Sequence, residues 1–475
     1  MPQGETKVTP IPVRLLTRFC CAVTCFALLL RPVLVAQQDR FQGSVPAGRA
    51  SSTPLALTLH DAIDRGLRSN LGLLVSASAS QAARGDRLRS LSALLPQLNG
   101  GVSETDEQLN LKTIGFDLQI PGLSIPTIVG PFHYSDVRAY ASFSAFDYSL
   151  RKSYRASKES EMAARLSLQD ARDLVVQSVA NAYLLVLAGS SRVESLRAQV
   201  ATDQAIYERT ADQKRAGTAA AIDLLRSQVQ LQQEQQELLT QNNRLAKDKL
   251  ALGRVIGLPS GQDFTIAEPE PYSPLAAITL DQALHTAFEQ RADFLSAQAT
   301  VRAAQEAVKS ASGQRYPNVE IAADYGANGT APNSLHGTFS AQASAKFNIF
   351  DGRRIEGEVT EARAALKQRQ DELADLGGQI DYQVRAALLD VQTAADPVTV
   401  ARNNLDLANQ TLEQARDRFS AGVGDNIEVV QAQGSVAIAN DNLISALYAH
   451  NSAKVELARA LGSTEQQIEK FMEVK

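Results

Sequence analysis

The chain of 475 residues carries a formal net charge of −5, contains no tryptophan and is only 5% aromatic. Long stretches dominated by Ala, Gln, Leu, Arg and Glu fit long helices and exclude a thick aromatic core. A mildly acidic balance excludes a nucleic-acid binder, and no run of about eighteen apolar residues occurs beyond the N-terminus, so no helix of the processed chain is predicted to span a membrane.

Residues 1–36 read as a signal peptide. Lys7, Arg14 and Arg18 precede an apolar stretch from Phe19 to Leu30, and Val33-Leu34-Val35-Ala36 offers a cleavage site before Gln37. Cys20, Cys21 and Cys25 all leave with it, so the exported chain has neither disulfides nor thiolate chemistry. Losing one acid and four bases moves the net charge from −5 to −8. Residues 37–56, rich in Gln, Ser, Gly and Pro, are expected to be a flexible lead-in.

From there the chain repeats itself. Leu57-Thr58-Leu59-His60-Asp61-Ala62 returns as Ile278-Thr279-Leu280-Asp281-Gln282-Ala283, 221 positions later, and Pro96 returns as Pro317 at that same offset. Ala216-Gly217, Ile222, Gln228, Leu252, Arg254 and Gly257 return 205 positions later as Ala421-Gly422, Ile427, Gln433, Leu457, Arg459 and Gly462. Both copies must therefore build equivalent halves of one object. The first runs over 57–259, the second over 278–462, with a Pro-rich linker at 260–277 and a C-terminal tail at 463–475.

Within each copy the order is the same. A helical pattern, 58–95 or 279–315, has a break near Ser69-Asn70 in copy one and many small residues in copy two. It ends before Pro96 or Pro317. The period then changes to two, with strands at about 97–104 and 139–148, and at 318–325 and 338–350. Phe339, Ala341, Ala343, Ala345, Phe347 and Ile349 form an apolar row against Ser340, Gln342, Ser344, Lys346 and Asn348. Such strands suit a transmembrane barrel, but single-chain barrels start at about eight strands, so several chains must share one. Lys152 to Ala216 then runs 65 residues without proline, about 100 Å as one helix, with Gly189-Ser190 its one weak point. After Gly217, Leu224, Leu231, Leu238, Leu245 and Leu252 recur every seven residues, a coiled-coil seam. Copy two keeps that row as Val429, Val436, Leu443 and Leu457 and breaks it at His450.

The doubled order, the Leu-Thr-Leu-x-x-Ala opening, Leu95-Pro96-Gln97-Leu98 leading into a strand, the helical turns at Ala216-Gly217 and Ala421-Gly422-Val423-Gly424 and the closing Gly257 and Gly462 resemble the TolC family of outer-membrane efflux proteins. The resemblance covers residues 57–462. It implies a mainly α fold with a β-barrel portion: duplicated long-helix coiled-coil hairpins plus four amphipathic strands per chain. It implies a homotrimer in the outer membrane, a twelve-stranded barrel set on a periplasmic α-helical barrel. The long helix of each copy should run unbroken while the shorter helices, about 71–95 and 219–257, stack end to end. Phe339, Phe347 and Ile349 would face outer-membrane lipid. The turns at Gly217, Gly422 and Gly424 would form the periplasmic tip, where a periplasmic adaptor docked on an inner-membrane pump makes contact. The exported cargo would be small molecules or proteins.

Asp223 and Glu428 lie six residues after Gly217 and Gly422. Read alone, they complement helix N-termini. The resemblance places them with Phe419 and Gln431 in the periplasmic constriction, where three copies of each acid would favour cations. The sequence departs from the family nearby: Gly424 stands where some members carry an arginine, Phe419 replaces a tyrosine and Gln431 an acid. The five scattered histidines, the lack of a phosphate loop and the lack of a nucleophile elbow give no catalytic, cofactor or metal site. The contrary reading is an exported, soluble coiled-coil scaffold whose strands cap helix bundles.

Overall fold

The computed structural model describes residues 41–115, 126–267, 272–273, 278–421, 423–424 and 426–472; the signal peptide and Gly422 lie outside them. In chain order come β1 (Leu55–Leu57), α1 (Leu59–Ser69), α2 (Leu71–Ser92), β2 (Gln97–Asn110), β3 (Ile128–Phe146), α3 (Tyr148–Arg215) and α4 (Ala221–Val255). Then follow β4 (Phe264–Ile266), α5 (Leu280–Gln290), α6 (Ala292–Gly313), β5 (Asn318–Gly329), β6 (His336–Lys346), α7 (Arg354–Ser420), α8 (Asn426–Leu461) and α9 (Thr464–Met472). The two copies thus repeat helix, helix, strand, strand, long helix and returning helix. Contacts divide the described residues into two compact units, each drawing on both copies: one within 41–75, 171–280 and 385–472, the other within 76–170 and 281–384.

The first unit is built on the apolar middle of α3. Val175, Val176, Val179 and Ala180 are fully buried, with Tyr183, Leu184 and Leu187 nearly so; α3 has an apolar stretch long enough to cross a membrane, half of which is buried within the protein. A Cβ on Gly66 would lie 2.6 Å from the Val179 side chain, so glycine sets the approach of α1 to α3. Thr58 caps α1, accepting from the Asp61 amide at 3.1 Å while the Asp61 carboxylate faces the Thr58 amide and hydroxyl. Gly189 does not break α3. A Cβ there would lie 3.3 Å from Leu245, so its bareness admits the seam of α4, of which Leu231 and Leu252 are buried. Pro397 lies inside α7, which nevertheless continues to Ser420.

Three segments outside the repeats carry structure of their own. The lead-in is docked from residue 41 onward. Val45 donates to the Ser69 carbonyl and Ala47 to that of Gly257, Leu71 donates to Gly43, the Asn70 carboxamide reaches Phe41, and β1 pairs in parallel with β4. That β4 strand lies in the supposed linker, so the linker closes a two-stranded sheet with the lead-in. The tail is the helix α9. Asp173 accepts from the Glu465 amide at its start, Arg172 grips the Glu465 carboxylate with two bonds, and buried Lys454 donates to the Phe471 carbonyl at 2.9 Å, a cation at a helix C-terminus.

In the second unit α6 lies close on the first turns of α3, as its small residues suggest. Ala292 and Ala299 are fully buried, Ser296 donates to the Ala163 carbonyl at 2.8 Å and Ser310 to that of Ser149 at 2.9 Å. Arg87 and Arg165 both bond Glu161. Burial alone would raise this carboxylate, but the two guanidiniums outweigh it and hold it below the usual range. The four long strands form one antiparallel sheet in the order β2-β3-β5-β6. They run further toward the hairpin loops than the sequence pattern shows, and β6 stops earlier, at Lys346 rather than 350. The cause is its partner: Lys346 pairs with Asn318, the first residue of β5, and the preceding Pro317 has no N–H to extend the ladder. Phe347 and Ile349 therefore lie past the strand, 66% and 89% exposed.

Candidate functional site

The sheet sorts its side chains by face. Residues paired across strands share a face, and one face carries Leu98, Val102, Val137, Ala139, Ala141, Phe143, Ile321, Ala323, Tyr325, Phe339, Ala341, Ala343 and Ala345. Nothing among the described residues covers it: Leu98, Val102, Tyr325 and Phe339 are each more than 70% exposed. From the Val319–Ala345 row to the Val102–Val137–Ala327–Gly337 row this surface extends about 27 Å along the strands. It ends toward the hairpin loops where Glu104 faces Ser135 and His133 meets Asp106 at 3.1 Å.

The opposite face is polar, with Asn99, Ser142, Glu320, Asp324, Ser340, Gln342, Ser344 and Lys346. Arg138 crosses it, bonding Asp136, Asp324 and, at 2.8 Å, the Thr338 hydroxyl. A Cβ on Gly326 would come within 2.8 Å of Arg138, so glycine is needed beneath it. The sequence pattern shows the two faces but not this junction of three strands, because Asp324 and Thr338 are 186 and 200 residues from Arg138. The outer edges of β2 and β6 pair with no other strand in the order β2-β3-β5-β6.

The helical turns make the second element. Gly217 adopts φ +77; its amide donates to Lys214 and that of Thr218 to Gln213, the Schellman closure in which glycine avoids the left-handed penalty. At the second turn Val423 and Gly424 both donate to the Arg418 carbonyl at 3.1 Å. A Cβ on Gly424 would lie 3.0 Å from that of Arg418, so this glycine serves close approach.

Asp223 sits in the first turn of α4 with Arg226 at 3.6 Å, and Glu428 in the first turn of α8 with Arg418 at 3.3 Å. Each acid thus has an arginine of its own chain beside it. Sequence reading missed both cations; the signal was available in the i,i+3 spacing of Asp223 and Arg226, but not in the ten residues between Arg418 and Glu428. Phe419 packs against the cluster of Leu412, Ala415, Val429 and Ala432, and Gln431 is exposed. The candidate residues therefore lie in the first turns of α4 and α8 and their flanks, with Phe419 serving packing rather than a polar lock.

Among the described residues no group of three His, Cys, Asp or Glu is placed to hold a metal ion. His133, His285, His336 and His450 each have separate partners: Asp106, Glu289, and the carbonyls of Ser334 and Ser273.

Comparison with known proteins adds independent findings. Residues 283–463 match the family model described as outer membrane efflux protein. The pyoverdine export outer membrane protein OpmQ of Pseudomonas aeruginosa is 25% identical over 425 residues, 85% of each chain. The outer membrane protein TolC of Vibrio cholerae is 22% identical over 439 residues, covering 89% of this chain and 95% of that one. In fold, the chain is similar to the solved outer membrane protein VceC of Vibrio cholerae, with a TM-score of 0.70, 20% identity and coverage of 85% and 96%.

Proposed function

The chain belongs to the outer membrane efflux protein family and is an outer-membrane protein, and from that premise we propose that three copies form a channel-tunnel exporting small molecules from the periplasm. The observation that carries this reading is the sheet: one apolar face without cover, one polar face, and two unpaired edges. Lipid cannot satisfy open backbone edges, so the four strands need neighbours, and three copies supply the twelve of a closed barrel. A soluble scaffold would instead bury the face that carries Leu98, Val102 and Phe339.

The apolar surface matches the band of about 25 Å on outer-membrane barrels. Phe146, Phe347 and Phe350 lie at its helix-side end, and Tyr325 and Phe339 near the other, as interfacial aromatic girdles do. Phe347 and Ile349, though past the strand, belong to that lipid-facing surface. The helices would continue the passage into the periplasm, with the turns at Gly217, Gly422 and Gly424 meeting an adaptor docked on an inner-membrane pump. Asp223, Glu428 and Gln431 would line the narrow end, with Arg226 and Arg418 offsetting much of the acid charge. The relative named for pyoverdine export favours a small-molecule cargo.

The duplication supplies the register in which neighbours should close. Phe146-Asp147 returns as Phe350-Asp351, each aspartate capping a long helix. Within the chain β3 of copy one pairs with β5 of copy two, Ala141 facing Ala323 and Phe143 facing Ile321. Applied to the other halves, the same register puts β6 beside β2 of the next copy, Ala345 facing Val102 and Phe347 facing Gly100. Because the described chain has no cysteine, Val102→Cys with Ala345→Cys should cross-link into covalent dimers and trimers, while Val102→Cys with Ala343→Cys should not. A folded, conducting monomer in detergent would sink the reading. Equal cross-linking by both pairs would sink the register alone.

A further inference from the structure

Away from the sheet and the tips, one carboxylate is buried where four helices meet. Asp203 of α3 is 2% exposed. Its Oδ1 accepts from the Gln433 amide of α8 at 2.9 Å and from Gln199 of its own helix at 3.4 Å. Gln433 is itself 1% exposed. The Asp203 Oδ2 atom is buried with no hydrogen-bond partner, an arrangement that penalises the charged form. Glu234 of α4 faces it with like charge, and Arg416 of α7 with a weaker opposite one. Glu234 is in turn raised by its own burial and by Glu237.

The acid is not required by the packing of the repeat. Gln433 has its counterpart in Gln228, whereas the offset of 205 that relates these glutamines puts Ala408 opposite Asp203. The carboxylate therefore belongs to copy one alone.

We infer that Asp203 is a proton-operated clasp between α3 and α8, closed when the carboxyl is neutral and loosened when it is ionised. A neutral carboxyl removes the buried charge, ends the repulsion from Glu234, and turns one oxygen into a donor that the Gln199 or Gln433 carbonyl can accept. Ionisation leaves a charge whose second oxygen has no partner. Burial, with Glu234 adding to it, pushes Asp203 up to about 6 from an ordinary 3.8, so the closed contact takes up a proton that a locally opened one does not. Stability of the contact then grows as pH falls from 7 to 5 and is lost as pH rises through 6. On the channel reading, which this step uses but the clasp does not, α8 is the helix that returns from the periplasmic tip. Acidification of the periplasm would hold it more firmly against α3.

The test is hydrogen exchange on the full-length assembly in detergent, following amides of 200–207 and 430–437 and correcting for the intrinsic pH dependence of exchange. With the two values above, linkage gives protection about tenfold greater at pH 5 than at pH 7. Asp203→Asn should remove that ratio. Glu234→Gln, which leaves Asp203 in place, should move the midpoint to lower pH and covers the case in which the Asn variant fails to assemble. A wild-type ratio near one, or the full ratio retained in Asp203→Asn, overturns the clasp. Bilayer currents separate it from the channel reading: less frequent opening at pH 5 in the wild type but not in Asp203→Asn supports both, and no conductance at either pH counts against the channel alone.

Discussion

The two copies run the same backbone course but fasten it differently. In copy one the long helix ends on a glycine held at φ +77 and carries the buried acid that meets the returning helix of copy two. In copy two the turn is fixed by two amides converging on the Arg418 carbonyl, with Gly424 pressed against that arginine's own backbone. Duplication thus preserves what defines the fold, namely strand parity, helix ends and close approaches. It leaves each copy free to acquire its own side-chain fastenings, and those are where control can differ between halves.

The most severe test of equivalence is in the sheet. Ala141 of copy one and Ala323 of copy two are paired in the middle row of the apolar face, while Ser142 and Ala322, paired beside them, point the other way. Lysine at 141 or 323 should cost about 2–4 kcal/mol per chain if both meet lipid near the bilayer midplane, and outer-membrane levels should collapse. Ser142→Lys and Ala322→Lys should assemble near normally. Immunoblots of outer-membrane fractions would decide it; a defect in one copy only would show that the two hairpins do not face lipid alike.

A smaller effect separates the turns. Gly217→Val forces a β-branched residue into the left-handed region, at about 1–2 kcal/mol, and should raise proteolysis at that turn. Gly424→Ala requires only a few tenths of an ångström of give near Arg418 and should be milder. If Gly424→Ala were the more damaging, close approach would outrank backbone sign. At the same tips, Arg418→Gln uncovers Glu428 and should shift the reversal potential toward cation selectivity, whereas Glu428→Gln should shift it the other way. Asp223→Asn, which leaves Arg226 uncompensated, should shift it in the same direction as Glu428→Gln. Reversal potentials unchanged in all three variants would remove these residues from the passage.

Much of the fold was legible because periodicity and duplication are local or regularly spaced signals. The break at Asn70, the two-residue period of the strands and the turn at Gly217 follow from them directly. What was not legible depended on partners distant in sequence. The lead-in looked flexible because nothing in residues 41–57 announces β4 or the Gly257 carbonyl. Phe347 and Ile349 read as strand because their alternation continues, though the partner that would pair them is missing from a single chain. Of the candidate site, the i,i+3 spacing of Asp223 and Arg226 was there to be read but the pairing of Arg418 was not, since Arg418 reaches Glu428 only once the turn is closed.

The smallest effect expected concerns the break in the second heptad row. His450 is 1% exposed in α8, its Nε2 lies 3.2 Å from the Ser273 carbonyl, and its ring stands 5.5 Å from that of Tyr272. Arg402 covers the other aromatic ring at 5.0 Å. Burial lowers the imidazole below its ordinary value, the Ser273 carbonyl opposes that shift, and Lys454 one turn away adds to it. A depressed folded-state value means that the contact is stable above about 6.5 and is lost as pH falls through the lower folded value. The sign is opposite to that at Asp203, so acid should tighten α8 against α3 at one place and loosen residues 272–273 from it at another. The chain has no tryptophan, so Tyr272→Trp provides a single reporter beside the imidazole. Its emission should titrate with a midpoint below 6.5 and lose that transition in His450→Gln, which keeps a donor for Ser273 but cannot charge. A midpoint at or above 6.5 would mean that the ring is hydrated, and acid would then act on α8 through Asp203 alone.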